Sequence, residues 1–354
     1  MTEVTSQSTR RSTRRTAADT EPMVLAFDVV VTRVVELGDN FRRITFGGAC
    51  LESFGVAGDT LDLRIKIIIP SPGRKCPDFG AMMSGDDGSS WYQQWLGLAA
   101  DERGSMRTYT VRASRCEGTT PEIDVDFVIH LDDDGRGGPA SEWSTAAQVG
   151  DTLCIIGPNA AAAQCATAGS YGGIEWRPGL AQYVLLAGDE TAVPAISAIL
   201  EALPEDIGGH AFLEVPTAGD RQDIDTRSSV GITWLARGER PHGELLDAAV
   251  RDAVRVPGWV SLAGDERARG GSEPEDVDID RSILWETPDR LEAAIRQASV
   301  NPGRPPGTQP FYAWIAGEAA VVRGLRRYLV RDVGVDRKQV AFMGYWRKGR
   351  AELS

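Results

Sequence analysis

Met106–Arg112 reads M-R-T-Y-T-V-R, and His130–Trp143 reads H-L-D-D-D-G-R-G-G-P-A-S-E-W. Arg107 and Tyr109 stand two apart in a strand pattern, so both side chains leave the same face. A phenol ring beside a guanidinium suits a ligand that carries a flat ring system and a phosphate. In the second segment Gly137, Gly138 and Pro139 turn the chain tightly. Ala140 and Ser141 then open a short helix whose first N–H groups point back at an anion. A pyrophosphate fits there, and the two segments together describe a flavin nucleotide on a small barrel. No G-x-G-x-x-G occurs in the chain, so this is not the Rossmann glycine fingerprint.

A second group of residues suits a dinucleotide. Gly188-Asp189-Glu190-Thr191 follows a short apolar strand and precedes a helix, the position where open α/β sheets take ligands. The same residues also serve as an ordinary strand end and helix cap. Glu214 ends the next strand, where a carboxylate accepts from a ribose 2′-hydroxyl and repels a 2′-phosphate, which favours NADH. Arg237, near the end of the strand after it, argues for NADPH. In L-D-L-R-I-K-I-I-I-P, Arg64 and Lys66 share one face; Lys66, with Arg347 and Lys348, would form a basic rim that attracts an anionic substrate. The three histidines, His130, His210 and His242, stand at no ligand spacing to a cysteine or to each other, so no metal site is expected. No nucleophile–base pair stands out, and the chemistry falls to the flavin.

These residues need two kinds of scaffold. Val24–Val35, Phe41–Phe46, Leu61–Ile69, Met106–Ala113, Ile123–His130 and Thr152–Ile156 read as strands, interrupted by one short helix at Ala140–Ala147. That pattern predicts a six-stranded antiparallel barrel over residues 23–158, with 75–90 as an acidic, glycine-rich surface loop. A linker is expected over 159–181. Residues 182–354 alternate strands with helices: Ala192–Leu203, Leu245–Val254, Asp289–Gln297 and Glu318–Val333. This predicts a Rossmann-like parallel sheet covered on both faces. Residues 265–280 read as an acidic insertion.

The chain has 354 residues and 42% hydrophobic content, enough for two cores. A net charge of -13 speaks against a nucleic-acid partner. Five cysteines form no C-x-x-C, and Cys154 reads as a buried thiol in a reduced compartment. No apolar run is long enough to span a bilayer. Residues 1–22 carry S-T-R-R-S-T-R-R-T without the apolar stretch of an export signal, and read as a disordered basic tail.

Four stretches carry a family resemblance: M-R-T-Y-T-V-R; D-F-V-I-H with G-G-P-A-S-E-W; L-L-A-G-D-E-T-A-V-P-A-I (Leu185–Ile196); and A-G-E-A-A-V-V-R-G-L-R-R with M-G-Y-W-R-K-G (Ala316–Arg327, Met343–Gly349). In this order they resemble the siderophore-interacting proteins, cytoplasmic FAD-dependent ferric-siderophore reductases of the ferredoxin-reductase superfamily. The resemblance implies an FAD-binding barrel followed by a nicotinamide-binding α/β domain. It implies that Arg107, Tyr109 and Thr110 hold the isoalloxazine and the adjoining phosphate. His130 would lead to the pyrophosphate loop, formed by Gly138, Ala140, Ser141 and Trp143. Gly188, Asp189, Glu190 and Thr191 match the first turn of the nicotinamide domain, and Tyr345, Trp346 and Arg347 the segment returning toward the flavin. NADH or NADPH would be the donor, with a ferredoxin as the alternative, and a ferric siderophore the substrate. A monomer or weak dimer is expected, with no nucleic acid and no membrane insertion. Two other readings stand beside the reductase: a non-enzymatic siderophore binder, and a flavin reductase serving a separate redox protein.

Overall fold

A computed structural model of the protein describes residues 21–84, 90–131, 134–167, 170–179, 181–254, 284–287 and 311–349. The basic tail, the acidic insertion and the helix expected over Asp289–Gln297 lie outside the described residues.

The first half is a curled antiparallel sheet. Its strands are β1 (Val24–Glu36), β2 (Phe41–Gly47), β3 (Arg64–Ile69), β4 (Ser105–Thr110), β5 (Ala113–Arg115), β6 (Glu122–Val128) and β7 (Thr152–Pro158), in the order β4-β3-β7-β1-β2-β6-β5. Alternate residues fill the interior: Phe27, Val29 and Val31 from β1, Ile65, Ile67 and Ile69 from β3, Ile123, Val125 and Phe127 from β6. The expected strand Met106–Ala113 is split in two. Val111 N still bonds to Leu63 O (2.9 Å), whereas Arg112 N bonds to Asp124 O (2.8 Å). One continuous segment thus pairs at both edges of the sheet and curls it, so the six expected strands become seven.

The expected surface loop over 75–90 carries a short helix, α1 (Phe79–Ser84), in its described part, and α2 (Trp91–Leu96) and α3 (Ala100–Arg103) follow it, so α4 (Pro139–Ala146) is not the single helix expected. Phe79 and Trp95 bury themselves against Ile68, Met106, Cys154 and Ile156 on the outer face of the sheet. This covering layer explains why β3 is apolar on both faces near its end.

The second half is a six-stranded sheet in the order β10-β9-β8-β12-β13-β11. It comprises β8 (Tyr183–Gly188), β9 (Gly208–Val215), β10 (Ser229–Ala236), β11 (Trp285–Glu286), β12 (Phe311–Glu318) and β13 (Val340–Trp346). All neighbours are parallel except β11, which runs antiparallel to β13. Helix α6 (Val193–Ala202) packs on the face continuous with the barrel core, while α7 (Glu244–Ala253) and α8 (Ala319–Arg327) cover the other. The long helix expected over Glu318–Val333 ends as α-helix at Arg327 and continues as a π-turn, Tyr328–Val333. Because β8 lies between β9 and β12, the strand order reverses there, opening a crevice beyond the carboxyl ends of β8 and β12.

The stretch between the halves is no slack tether. A short helix, α5 (Ala163–Ala166), begins it. Tyr171, Ile174 and Trp176 are buried. Buried Asp62, just before β3, accepts from the backbone N–H of Glu175 and Trp176 and from the Trp314 indole (3.0–3.1 Å). Further bonds cross between the halves: Arg112 grips Glu201 with two bonds, and Asn40 donates twice to Asp220.

Candidate functional site

On the barrel side, Arg107 pairs across the ladder with Ile67, and Tyr109 with Ile65, so both occupy the face expected from their spacing. The Tyr109 ring lies 4.4 Å from that of Phe127, tilted by 41°. Arg107 Nη1 donates to its neighbour's carbonyl, Met106 O (2.8 Å). Thr110 is buried too and pairs with Arg64 on the other face of the ladder.

Helix α4 starts where the phosphate turn was expected. Gly138 is its N-cap, Pro139 its first residue, and no side chain caps its first turn. These uncapped amides are a ready anion seat. Gly137 is required: a Cβ there would lie 2.5 Å from His130 O, whereas one on Gly138 would meet nothing within 4 Å. Ser141 Oγ accepts from His130 N (3.2 Å) and donates to Val128 O (3.5 Å), fixing the helix to the end of β6. Trp143 stacks on Phe46 (6.3 Å, 17°) and so anchors the same helix in the barrel core. A planar aromatic face, a guanidinium and an open helix start fit the ring and phosphates of a flavin dinucleotide.

On the sheet side, the turn after β8 is a dense ionic knot. A Cβ on Gly188 would lie 2.4 Å from that of Ala192, so only glycine turns there. Asp189 is buried and accepts from Thr191 N (2.9 Å), Thr191 Oγ1 (2.5 Å), Glu318 N (2.7 Å) and Trp346 Nε1 (2.9 Å). Burial and the neighbouring Glu190 charge push its pKa up to about 6. Glu190 is fully buried and binds both Arg237 Nη atoms (2.6 and 2.7 Å) and His130 Nε2 (3.1 Å). Its burial alone would raise its pKa, but His130 and Arg237 outweigh that and hold it at about 2. The barrel residue His130 thus reaches across the crevice to the first turn of the sheet domain.

Glu214 does not meet the expectation set for it. It is fully buried, and its two oxygens accept from Gly243 N (2.7 Å) and Leu246 N (3.0 Å), capping α7. A carboxylate committed to a helix start cannot read a ribose. Arg237, held by Glu190, is equally engaged. Glu214→Gln should therefore leave the ratio of NADH to NADPH reduction rates unchanged in stopped-flow measurements while lowering stability by about 1–2 kcal/mol. A changed nucleotide ratio would return Glu214 to the binding surface.

β13 carries Tyr345 and Trp346 at its end, and Arg347 follows it. Tyr345 stacks on Trp285 (5.9 Å, 17°), and burial pushes its hydroxyl pKa well up. Trp346 stands between the halves, edge-on to His242 (5.0 Å) and 6.0 Å from His130. Arg347 and Lys348 line a cavity of about 450 Å³ with Pro241, His242, Glu318, Ala320 and Arg323. Lys66 is not among its lining residues. It lies on the outer face of β3, opposite Thr108 and 2.6 Å from its hydroxyl, on the other side of the sheet from Arg107 and Tyr109.

Sequence spacing missed His242 and Arg323. His242 ends the loop after β10, well past the strand end at Ala236, and only the folding of that loop brings it to Asp189. The fold brings ligand atoms of Asp189, Glu190 and His242 within 4.8 Å of one another. Arg237 and His130 bond to Glu190, and Thr191 and Trp346 to Asp189.

Residues 30–162 match the siderophore-interacting FAD-binding domain, and residues 181–349 match the siderophore-interacting protein family. A protein of Mycobacterium tuberculosis is 31% identical over 329 residues, spanning 92% of this chain and 91% of its own. The ferric vibriobactin reductase ViuB of Vibrio cholerae is 30% identical over 246 residues, 70% of this chain and 66% of its own. Among solved structures, the siderophore-interacting protein SipS of Aeromonas hydrophila superposes with a TM-score of 0.54 at 25% identity, covering 93% of this chain and 94% of its own. Among the described residues, no helix is long and apolar enough to cross a membrane.

Proposed function

The chain belongs to the siderophore-interacting protein family, and on that premise we propose that it is an FAD-dependent NAD(P)H:ferric-siderophore oxidoreductase. One observation carries the reading: a single chain joins an FAD-binding barrel to a siderophore-interacting sheet domain, and His130 and Glu190 close the crevice between their two ligand-facing turns. The relative ViuB is named a ferric vibriobactin reductase, which agrees with it.

Bound FAD would supply the step between a two-electron hydride donor and one-electron acceptors. The chain's own residues do the rest. Arg107 and the open first turn of α4 hold the phosphates, and Tyr109 sets the ring. Ser141 and Trp143 keep α4 in register with β6. The turn Gly188–Thr191 receives the nicotinamide dinucleotide, and Trp346 guards the way in. The substrate iron arrives chelated; once Fe(II), it is a poorer match for hard oxygen ligands and is released or exchanged. Five cysteines without a disulfide support a reducing, cytoplasmic setting.

The purified protein should be yellow, bleach with NADH or NADPH under argon, and recover its colour on adding a ferric siderophore while a ferrous indicator develops. A bleached protein that a ferric chelate does not reoxidise would sink the assignment. A binder without turnover would not bleach at all.

Arg347, at the cavity, and Lys66, on the outer face of β3 and so not part of one rim with it, are each proposed to attract anionic chelates through their field. Lys66→Ala and Arg347→Ala should lower kcat/KM for a ferric triscatecholate by about threefold to tenfold at low salt, and less for a neutral ferric hydroxamate. Added salt should close the gap. Equal, salt-insensitive losses on both chelates would mean that the two residues act through structure.

A further inference from the structure

Trp346 meets both halves. Its indole N–H donates to Asp189 Oδ2 (2.9 Å), and its ring meets His242 from the sheet domain and His130 from the barrel. Asp189 Oδ2 also accepts from the backbone N–H of Glu318 (2.7 Å). His242 Nε2 lies 3.5 Å from that same oxygen and 3.4 Å from Glu190 Oε2, and its Nδ1 lies 4.0 Å from Glu214 Oε1. Neither ring nitrogen has a hydrogen-bond partner, although both are buried. The groups packed around this point are Glu190, Glu214 and Glu318 as acids, Arg237 as the buried base, and His130, His242, Arg347 and Lys348 toward the crevice.

We propose that Asp189 and His242 form a proton-controlled catch for Trp346, and so decide when the indole clears the crevice for the nicotinamide ring. The proposal rests on the reading that the dinucleotide enters this crevice. A proton placed between Asp189 Oδ2 and His242 Nε2 gives the imidazole the partner it lacks. It also takes a lone pair from an oxygen that already carries two donors. Of those two, the Glu318 amide is fixed at the junction of β12 and α8, whereas the indole can swing. Loss of the proton restores the acceptor and returns Trp346 to its seat. The raised pKa of Asp189, about 6, puts the change within the physiological range, with the catch open below that pH and closed above it. Trp346 is thus positioned by Asp189, and Asp189 has no need to touch the substrate.

The test is a ¹⁹F NMR titration of the FAD-loaded protein labelled with 5-fluorotryptophan, with Trp346→Phe assigning the resonance. The Trp346 signal should move between pH 5 and 8 with a midpoint near 6. In Asp189→Asn it should stay at one limit. His242→Ala should displace the midpoint by at least half a pH unit. In the same Asp189→Asn protein, KM for the nicotinamide nucleotide in flavin reduction should fall by about threefold or more at pH 7.5 and lose its pH dependence. A Trp346 resonance insensitive to pH would overturn the catch, as would one that titrates unchanged in Asp189→Asn; the first result would also arise if the proton settled on Oδ1 and Thr191 turned its hydroxyl to accept. If no nucleotide reduces the flavin, the reductase reading fails, and the titration still decides the catch.

Discussion

Glu190→Ala should lower the folding stability by about 3–5 kcal/mol, because it strips a buried guanidinium of its partner. Arg237 is only 15% exposed, and after the substitution the nearest carboxylate left to it is Glu214, 4.0 Å away and already capping α7. His130 loses its bond across the crevice as well. Urea unfolding at pH 7 should show the loss as a lower midpoint at unchanged slope. The sign of the pH dependence follows from the direction of the shift. Glu190 sits at about 2 instead of the usual 4.5, so its contribution is complete above pH 4.5 and disappears as pH falls toward 2. A shift of this size corresponds to about 3 kcal/mol. The difference between the wild type and Glu190→Gln should therefore shrink steadily on acidification below pH 5. An alanine variant as stable as the parent would show that Arg237 finds water or Glu214 without cost.

Arg107→Ala should weaken FAD binding by roughly tenfold to a hundredfold, the effect of losing one charge-assisted contact worth about 1.5–3 kcal/mol. Its position opposite Ile67, on the face it shares with Tyr109, motivates the number, together with the uncapped start of α4 nearby. Titrating FAD into the apoprotein by flavin fluorescence measures it. Arg107→Lys should recover part of the affinity, since an ammonium keeps the charge and loses the planar fork. Unchanged affinity in Arg107→Ala would move the phosphates to α4 alone.

What the sequence made legible was periodic or local. The two-residue period placed Arg107 and Tyr109 on one face, and the G-G-P-A-S turn announced the start of α4. The alternation of strands and helices after residue 182 gave the parallel sheet. What stayed hidden depends on partners distant in sequence. Glu214 ends a strand at the right edge, yet its oxygens are claimed by the start of α7, which no reading of β9 alone reveals. His242 acquires its meaning only when the loop after β10 folds beside Asp189. The acidic, glycine-rich stretch after Lys75 concealed Phe79, and Trp95 lies beyond it; their apolar area covers Ile68 and Cys154. The bend at Val111–Arg112 has no marker in T-Y-T-V-R-A, because it is imposed by the two strands that compete for that segment.

Asp62 reaches from the barrel to residues 175, 176 and 314, and Tyr171, Ile174 and Trp176 are buried between the halves. The stretch that joins the halves is therefore common property of both. A sheet domain transplanted onto a relative's barrel would need to bring residues 170–179 with it and find an aspartate at position 62; without one, the amides of Glu175 and Trp176 would be buried with nothing to receive them. New substrate ranges in such a protein should arise by changes along the crevice more readily than by shuffling whole domains. The two halves should also melt in one calorimetric transition.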